Sequence, residues 1–324
     1  MAAAGLIVIA GPTASGKSAL ALRLALTRRG TIINADSMQL YRELRILTAR
    51  PGRPEEAQAP HRLYGILDAD VPSSVGHWLK LAEEAIAEAL GQGRVPIVVG
   101  GTGLYLHALL HGLAPVPTIP AEVRLVARER LERLGGAALH HELAARDPAM
   151  ASRLRPSDRQ RLMRAYEVLL ATGRSLAAWQ AEQHRRIRLP RPLAGFALMP
   201  PRADLDARIA ERLRSMIEAG ALSELAALRA RHGTAEVPLM KAVAVPELMA
   251  HLDGRLSLDQ ALARTLIQTR RYAKRQLTWL RHQLPELEPV PAFGDAPEAS
   301  RASAGLRRLL LTDAALPHTF RAVP

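Results

Sequence analysis

The first clear signal along the chain is an unbroken apolar run, Leu6-Ile7-Val8-Ile9-Ala10, short and rich in branched side chains, which predicts a buried strand. After a glycine-rich stretch, Ala19 to Leu24 reads as helix, and Thr31-Ile32-Ile33-Asn34-Ala35 as a second strand. Residues 45–60 are polar and hold three prolines, the pattern of a surface loop or lid. His61 to Ile66 predicts a short strand, Ser74 to Leu90 carries apolar residues at helical spacing, and Arg94 to Val99 predicts another buried strand. That strand runs into Gly100-Gly101-Thr102-Gly103-Leu104-Tyr105, a second glycine-rich strand-to-helix turn. From about Ala121 the chain changes to arginine-rich amphipathic helices, with no strand candidate until Leu193 to Leu198. Pro115, Pro117 and Pro120 mark the entry to this region, and Pro190 and Pro192 the exit. Helices follow at Arg202 to Ala219 and Leu258 to His282; the tail beyond Leu284 is rich in proline and alanine, with one helical patch near Leu306 to Leu311, and suggests no role.

Strands alternating with helices predict an α/β fold with a parallel sheet. The expected division is a first core part over 1–120, an all-helical insertion domain over 121–192, a second core part over 193–284 ending in a basic helix, and a tail over 285–324. No internal repeat is present. A chain of 324 residues with 48% hydrophobic residues is long enough for one large or two ordinary domains.

Charge narrows the partners. Lys and Arg number 44 against 31 Asp and Glu, a formal net charge of +13. Residues 121–195 hold 15 Arg and no Lys against 8 acids, and residues 260–285 hold 6 basic residues and no acid. The surplus is concentrated in these two windows, so an anionic partner is expected, nucleic acid before a membrane surface. The absence of cysteine removes disulfides, thiolate zinc sites and Cys nucleophiles. No stretch approaches the roughly 20 apolar residues of a membrane span, and the apolar start has no basic leader. A soluble, cytoplasmic protein is the expectation.

Candidate chemistry begins at Gly11-Pro12-Thr13-Ala14-Ser15-Gly16-Lys17-Ser18, which fits the phosphate-loop pattern G-x-x-x-x-G-K-[ST] in the strand-loop-helix context it requires. Gly11 and Gly16 let the backbone curl so that N–H groups face a polyanion. Lys17 adds a charge, Ser18 a hydroxyl for Mg²⁺, and the helix N-terminus its dipole. The fold is therefore expected to be a P-loop NTPase-like parallel sheet flanked by helices. Asp36, at the carboxyl end of the second strand, should emerge on the same side. It could cap the following helix, help to hold Mg²⁺, or accept a proton from a nucleophile. Gln160, Arg161 and Arg164 share a helical face that is either solvated or RNA-binding. Arg208 and Arg212, one turn apart, can grip a diphosphate as well as decorate a surface. The basic residues and Trp279 of Lys274 to Arg281 suit a phosphate backbone and an unstacked base. His107 and His111 have helical i, i+4 spacing but lack the glutamate of H-E-x-x-H, His140-His141-Glu142 is only an adjacent pair, and zinc is not expected.

Taken together and in order, Gly11 to Ser18, Asp36-Ser37-Met38-Gln39 with Tyr41, Pro60-His61-Arg62-Leu63, Gly100 to Tyr105, Gln160 to Arg164 and Lys274 to Arg281 resemble the bacterial tRNA dimethylallyltransferases, the isopentenyl-diphosphate:tRNA transferase family. The likeness spans about Leu6 to Arg281, including the insertion. It implies Mg²⁺-dependent transfer of a dimethylallyl group from dimethylallyl diphosphate to the exocyclic amine of the adenine 3′ of the anticodon, with the base extruded into a pocket. It further implies that Gly11, Pro12, Thr13, Ala14, Ser15, Gly16, Lys17 and Ser18 hold the diphosphate and metal, Arg212 with Arg208 the departing pyrophosphate, and Asp36 the amine proton. Thr13 joins the catalytic set. tRNA contacts are implied at Asp36, Ser37, Met38, Gln39, Thr102, Arg124, Gln160, Arg161, Leu162, Met163, Arg164, Lys274, Arg275, Trp279 and Arg281, with the chain a monomer whose two basic windows clasp the anticodon stem-loop.

Two departures stand out. Where the family shows Ile-Gly-Tyr and a base, this chain has Val243-Ala244-Val245-Pro246; where it shows Gly-Thr-Ala-Lys-Pro, this chain has Leu47-Thr48-Ala49-Arg50-Pro51. The rival readings are a small-molecule kinase using ATP, for which a phosphate loop and an acid after the second strand would also serve, and a tRNA-binding NTPase without transfer chemistry.

Overall fold

In the computed structural model, which describes residues 5–182, 188–191, 193–233 and 237–299, six parallel strands form one sheet in the order β3-β2-β4-β1-β5-β6. They are β1 (Leu6–Ala10), β2 (Gly30–Asn34), β3 (His61–Arg62), β4 (Val95–Gly100), β5 (Leu193–Leu198) and β6 (Glu288–Val290). Every residue of β1, a continuous apolar run, and of β2, which buries Thr31 and Asn34 beside Ile32 and Ile33, is shielded in a sheet covered on both faces. Ile97 is level with Ile7 on one side and Ile32 on the other, so the branched side chains stack across the sheet.

The helices of the core are α1 (Lys17–Arg28), α2 (Arg53–Gln58), α3 (Val75–Gly91) and α4 (Gly103–His111), joined after the insertion by α9 (Arg202–Glu218), α10 (Ala221–His232), α11 (Val245–Leu252) and α12 (Leu258–Gln283). The insertion itself holds α5 (Ala121–Arg146), α6 (Pro148–Ala151), α7 (Arg159–Thr172) and α8 (Leu176–Gln180). None of the described helices is long and apolar enough to cross a membrane.

The chain divides into two compact units. One is built from residues up to Leu110 and from Arg188 onward, the other from His111 to Ile187, where sequence composition placed the borders at 121 and 192. The helical unit has its own core of Ala127, Leu139, Leu143, Leu162 and Val168, all fully buried. Its first helix breaks at Gly135, where φ is 76° and ψ 171°, and Gly136 lies so close to the Pro156 carbonyl that a Cβ would overlap it.

Three sequence expectations are corrected. Residues 45–60 contain the short helix α2, started by Pro54 and by the Gly52 N–H donating to Glu55 Oε2 at 2.9 Å. The strand expected over 61–66 stops after two residues, because Leu63 and Gly65 take left-handed φ values of 65° and 59° and turn the chain away. The tail beyond Leu284 adds β6 to the sheet edge and reaches the phosphate loop; its helical patch near Leu306 to Leu311 lies outside the described residues.

Candidate active site

Strand order brings the chemistry together. β2, β4 and β1 are neighbours, so Asp36, the Gly100–Gly103 turn and the loop at Gly11 leave the same sheet edge side by side. Gly100 permits this convergence, since a Cβ there would overlap the Ala35 carbonyl. The Thr102 N–H donates to the Ala35 carbonyl at 3.2 Å, and Thr102 Oγ1 accepts from the Ser37 N–H at 3.0 Å. Thr102 thus acts through the backbone of the Asp36 turn.

The loop is curled as an anion cradle. Gly16 has φ 79° and Ala14 φ 63°, and the Ser15 N–H returns to the Pro12 carbonyl at 3.2 Å. Ser15 Oγ is buried without a hydrogen-bond partner inside this curl, a polar group waiting for an acceptor or donor that the protein does not supply. Lys17 Nζ donates to the Pro12 carbonyl at 3.3 Å. Burial lowers its pKa from 10.5 to about 8; Asp36 opposes the shift and Arg212 adds to it. Arg212, whose guanidinium Nη1 lies 3.5 Å from Thr13 Oγ1, is lowered by burial, with Asp36 opposing and Arg208 adding. Two desolvated cations beside one carboxylate make a site that gains from a further anion.

Asp36 is held by a residue that sequence reasoning passed over. Asn34 Nδ2 donates to the Asp36 carbonyl at 2.9 Å and to the Leu63 carbonyl at 3.0 Å, while its Oδ1 accepts from the Asp36 N–H at 2.8 Å. The signal was an asparagine closing a strand directly after Ile32 and Ile33. Asp36 Oδ1 accepts from the Met38 N–H at 3.0 Å, a bond two residues along that fixes one oxygen in the turn, while the 3-10 turn over Met38–Leu40 starts at Ser37 without a side-chain cap. The carboxylate also lines a cavity of about 260 Å³ whose wall includes Thr13 and Arg212.

That cavity is mostly apolar away from its charged end. One face of α9 contributes Ile209, Arg212, Leu213 and Met216, at helical spacing, and Met38, Leu47, Lys241 and Val243 line the cavity as well. The departure Val243-Ala244 is therefore in the site. Ala244 stands at φ 80°, a left-handed conformation that suits glycine. Thr265, Thr269 and Tyr272 of α12 also line the cavity, and sequence reasoning had singled out none of them. Tyr272 is raised by burial and by Asp36.

α12 also ties the two glycine-rich turns together. Gln276 Oε1 accepts from the Thr13 N–H at 2.9 Å, and its Nε2 donates to the Gly101 carbonyl at 2.8 Å. Trp279 sets its indole against Gly103, where no Cβ would fit, with Nε1 buried and the residue as a whole half-buried. Gln39 is turned inward, donating to the Thr48 and Ala49 carbonyls at 2.8 and 3.2 Å. Leu162 is a core side chain of the helical unit, and Met163 packs against the same core. The remaining basic and polar candidates are available. Arg124, Gln160, Arg161, Lys274, Arg275 and Arg281 are exposed and Arg164 half-exposed, with Arg161 3.5 Å from Asp158 and Arg164 3.3 Å from Glu167. Arg208 does not face the loop interior as a free cation: Asp295 takes both of its terminal nitrogens, Nη1 at 2.8 Å.

Comparison with known proteins identifies the family and the fold. The family model described as IPP transferase matches residues 39–283. A protein of Rhodopseudomonas palustris named tRNA dimethylallyltransferase is 53% identical over 291 residues, 90% of this chain and 91% of its own length. One of the same name from Rhodospirillum rubrum is 57% identical over 282 residues, 87% of this chain and 86% of its own. Among solved structures, the full-length tRNA isopentenylpyrophosphate transferase of Bacillus halodurans aligns with a TM-score of 0.68 at 31% identity, covering 95% of this chain and 97% of that one. A eukaryotic dimethylallyltransferase acting on tRNA aligns with a TM-score of 0.79 at 25% identity, covering 94% of this chain and 78% of its own. An α/β sheet with a phosphate loop at its edge, a helical insertion and a match running through both place the chain in one group: it belongs to the IPP transferase family.

Proposed function

We propose that the protein transfers the dimethylallyl group of dimethylallyl diphosphate to the exocyclic amine of the adenine 3′ of the anticodon in tRNA, releasing pyrophosphate. The observation that carries this reading is a cavity lined by Thr13 and Arg212, 3.5 Å apart, by the apolar Leu213, Met216 and Val243, by one carboxylate, Asp36, and by a second cation, Lys241. An allylic diphosphate has that same division into polyanion and short hydrocarbon. A kinase reading accounts for the loop but leaves the apolar walls without a purpose, and family membership sets it aside.

In the proposed reaction the bond from the allylic carbon to the diphosphate oxygen breaks and the carbon-to-nitrogen bond forms. Lys17, Arg212 and the loop N–H groups stabilise the charge that collects on the leaving pyrophosphate. The amine loses its proton as the new bond forms, and Asp36 accepts it. Mg²⁺, when bound, supplies further charge neutralisation at the diphosphate. The exposed Ser18 hydroxyl at the first turn of α1 fits such an ion, and among the described residues no group of three carboxylate or imidazole side chains would compete for it. The remaining coordination would come from the diphosphate and water, as is usual for Mg²⁺. Arg124, Gln160, Arg161, Arg164, Lys274, Arg275 and Arg281 are the proposed tRNA contacts, with Ser37, Met38 and Thr102 shaping the turn that meets the base. A tRNA substrate places the enzyme in the cytoplasm.

The test is direct. Purified protein with Mg²⁺, an unmodified anticodon hairpin and dimethylallyl diphosphate should give prenylated adenosine and pyrophosphate in equal amounts, and ATP in its place should give neither. Asp36→Ala should bind the hairpin and lose about 10²- to 10⁴-fold in turnover. Absence of product from the wild type, or near-normal turnover in the variant, would remove the reaction or the base, respectively.

A further inference from the structure

The segment after Gln283 lies past the end of the family match, yet it is built into the phosphate site. β6 adds to the sheet edge, with Glu288 level with Phe196 and Val290 with Leu198, and the Met199 N–H donates to the Val290 carbonyl at 2.8 Å. The chain then crosses the outside of the loop. The Gly294 N–H donates to the Ser15 carbonyl at 2.8 Å. Phe293 packs against the cluster of Ala14 and Ile209. Contact is this close only because both partners are glycines: a Cβ on Gly294 would overlap the Gly16 carbonyl, and one on Gly16 would stand 2.8 Å from Asp295 Oδ1. Asp295 pairs with both terminal nitrogens of Arg208, whose guanidinium also lies 4.6 Å above the Phe293 ring. Arg23 of α1 donates to the Asp295 carbonyl at 3.1 Å and to the Gly294 carbonyl.

A loop that points its N–H groups at an anion must point carbonyls the other way, and those outward carbonyls set how firmly the curl is held. Here the outward Ser15 carbonyl is satisfied by the crossing strap. The Arg208–Asp295 pair is too exposed, at 37% and 44%, to be a large stabiliser of the fold, since such pairs contribute about 0–1 kcal/mol. Its geometric effect is larger: it pins residue 295 between α9, which also carries Arg212, and α1, whose N-terminus is the loop.

We infer that residues 290–295 form a strap that positions the phosphate loop, with Asp295 acting through Arg208, Arg23 and Gly294 to hold the anion-binding curl. This rests on the reading that the loop takes a diphosphate. Arg208 is then an anchor for the strap, and Arg212 is the arginine that meets the diphosphate. Asp295 is a positioning residue.

The experiment uses the full chain carrying Asp295→Ala, Asp295→Asn or Gly294→Ala. Three quantities are measured: KM for dimethylallyl diphosphate, KM for the hairpin, and affinity for inorganic pyrophosphate with Mg²⁺ by calorimetry. Asp295→Ala and Gly294→Ala should raise the diphosphate KM and weaken pyrophosphate binding about tenfold, the equivalent of about 1.4 kcal/mol, with hairpin KM within about twofold. Asp295→Asn keeps one acceptor for Arg208 and should recover part of the loss. Should Gly294→Ala fail to fold, the two Asp295 variants decide. Unchanged pyrophosphate affinity and diphosphate KM, with only a lower melting temperature, overturns the positioning role. A wild type that binds no pyrophosphate overturns the diphosphate reading beneath it, a result that no comparison among variants could mimic.

Discussion

Raising the pH from 7 to 9 should weaken binding of an unreactive allylic diphosphate about tenfold, and Lys17 is the cause. Its pKa in the ligand-free protein is about 8, because burial outweighs the attraction of Asp36 and Arg212 repels the same charge. A diphosphate arriving beside the ammonium restores its hold on the proton, so the ligand selects the protonated form. That form is roughly 0.9 of the population at pH 7 and roughly 0.1 at pH 9, and the apparent affinity falls in proportion, about 1.4 kcal/mol. The ligand's own last ionisation is near that of a phosphate monoester, about 6, below the window. At pH 9 binding should take up close to one proton, measured by calorimetry in buffers of different ionisation enthalpy. Lys17→Arg keeps its charge throughout this range and should bind with a flat profile. A flat profile in the wild type, or the same slope in Lys17→Arg, would refute the argument. The linked effect on stability has the opposite sense. Between about pH 8 and 10.5 the unfolded chain holds the Lys17 proton longer than the folded one, so this group makes the ligand-free protein more stable as pH rises through that window.

Ala244→Gly should stabilise the protein by about 1 kcal/mol, because φ 80° costs alanine and not glycine; a lower or unchanged melting temperature would count against this. Gln276→Ala removes the tie between the Thr13 N–H and the Gly101 carbonyl and should destabilise by about 1–3 kcal/mol in denaturant titration, while a change under about 0.5 would show that water replaces the amide. Arg161→Ala with Arg164→Ala should weaken hairpin binding and lower the slope of log affinity against log salt by roughly 1 per residue; an unchanged slope would return both to an ordinary solvated face.

What the sequence determined by itself was local. The run Leu6 to Ala10, the curl from Gly11 to Ser18 and the helix after it are specified by neighbouring residues, and so is the concentration of arginine between 121 and 195. The placement of Asp36 followed from strand polarity, since a residue just past a parallel strand must leave at the ligand edge. Tertiary structure alone decided the rest. Thr13 and Thr265 share a cavity although some 250 positions separate them, and no periodicity announces such a meeting. Basic residues flank Trp279 in the sequence, and only the fold shows that its indole rests against Gly103, where a Cβ would not fit. Leu162 lies in an RNA-like motif and faces a core, since its helix must bury one side. The strap at 290–295 was silent in sequence because its hold on the loop comes from backbone groups and the absence of two Cβ atoms, neither of which leaves a hydrophobic pattern to read. Periodicity reports which face of an element is buried; which other element covers it is fixed only when the whole chain packs.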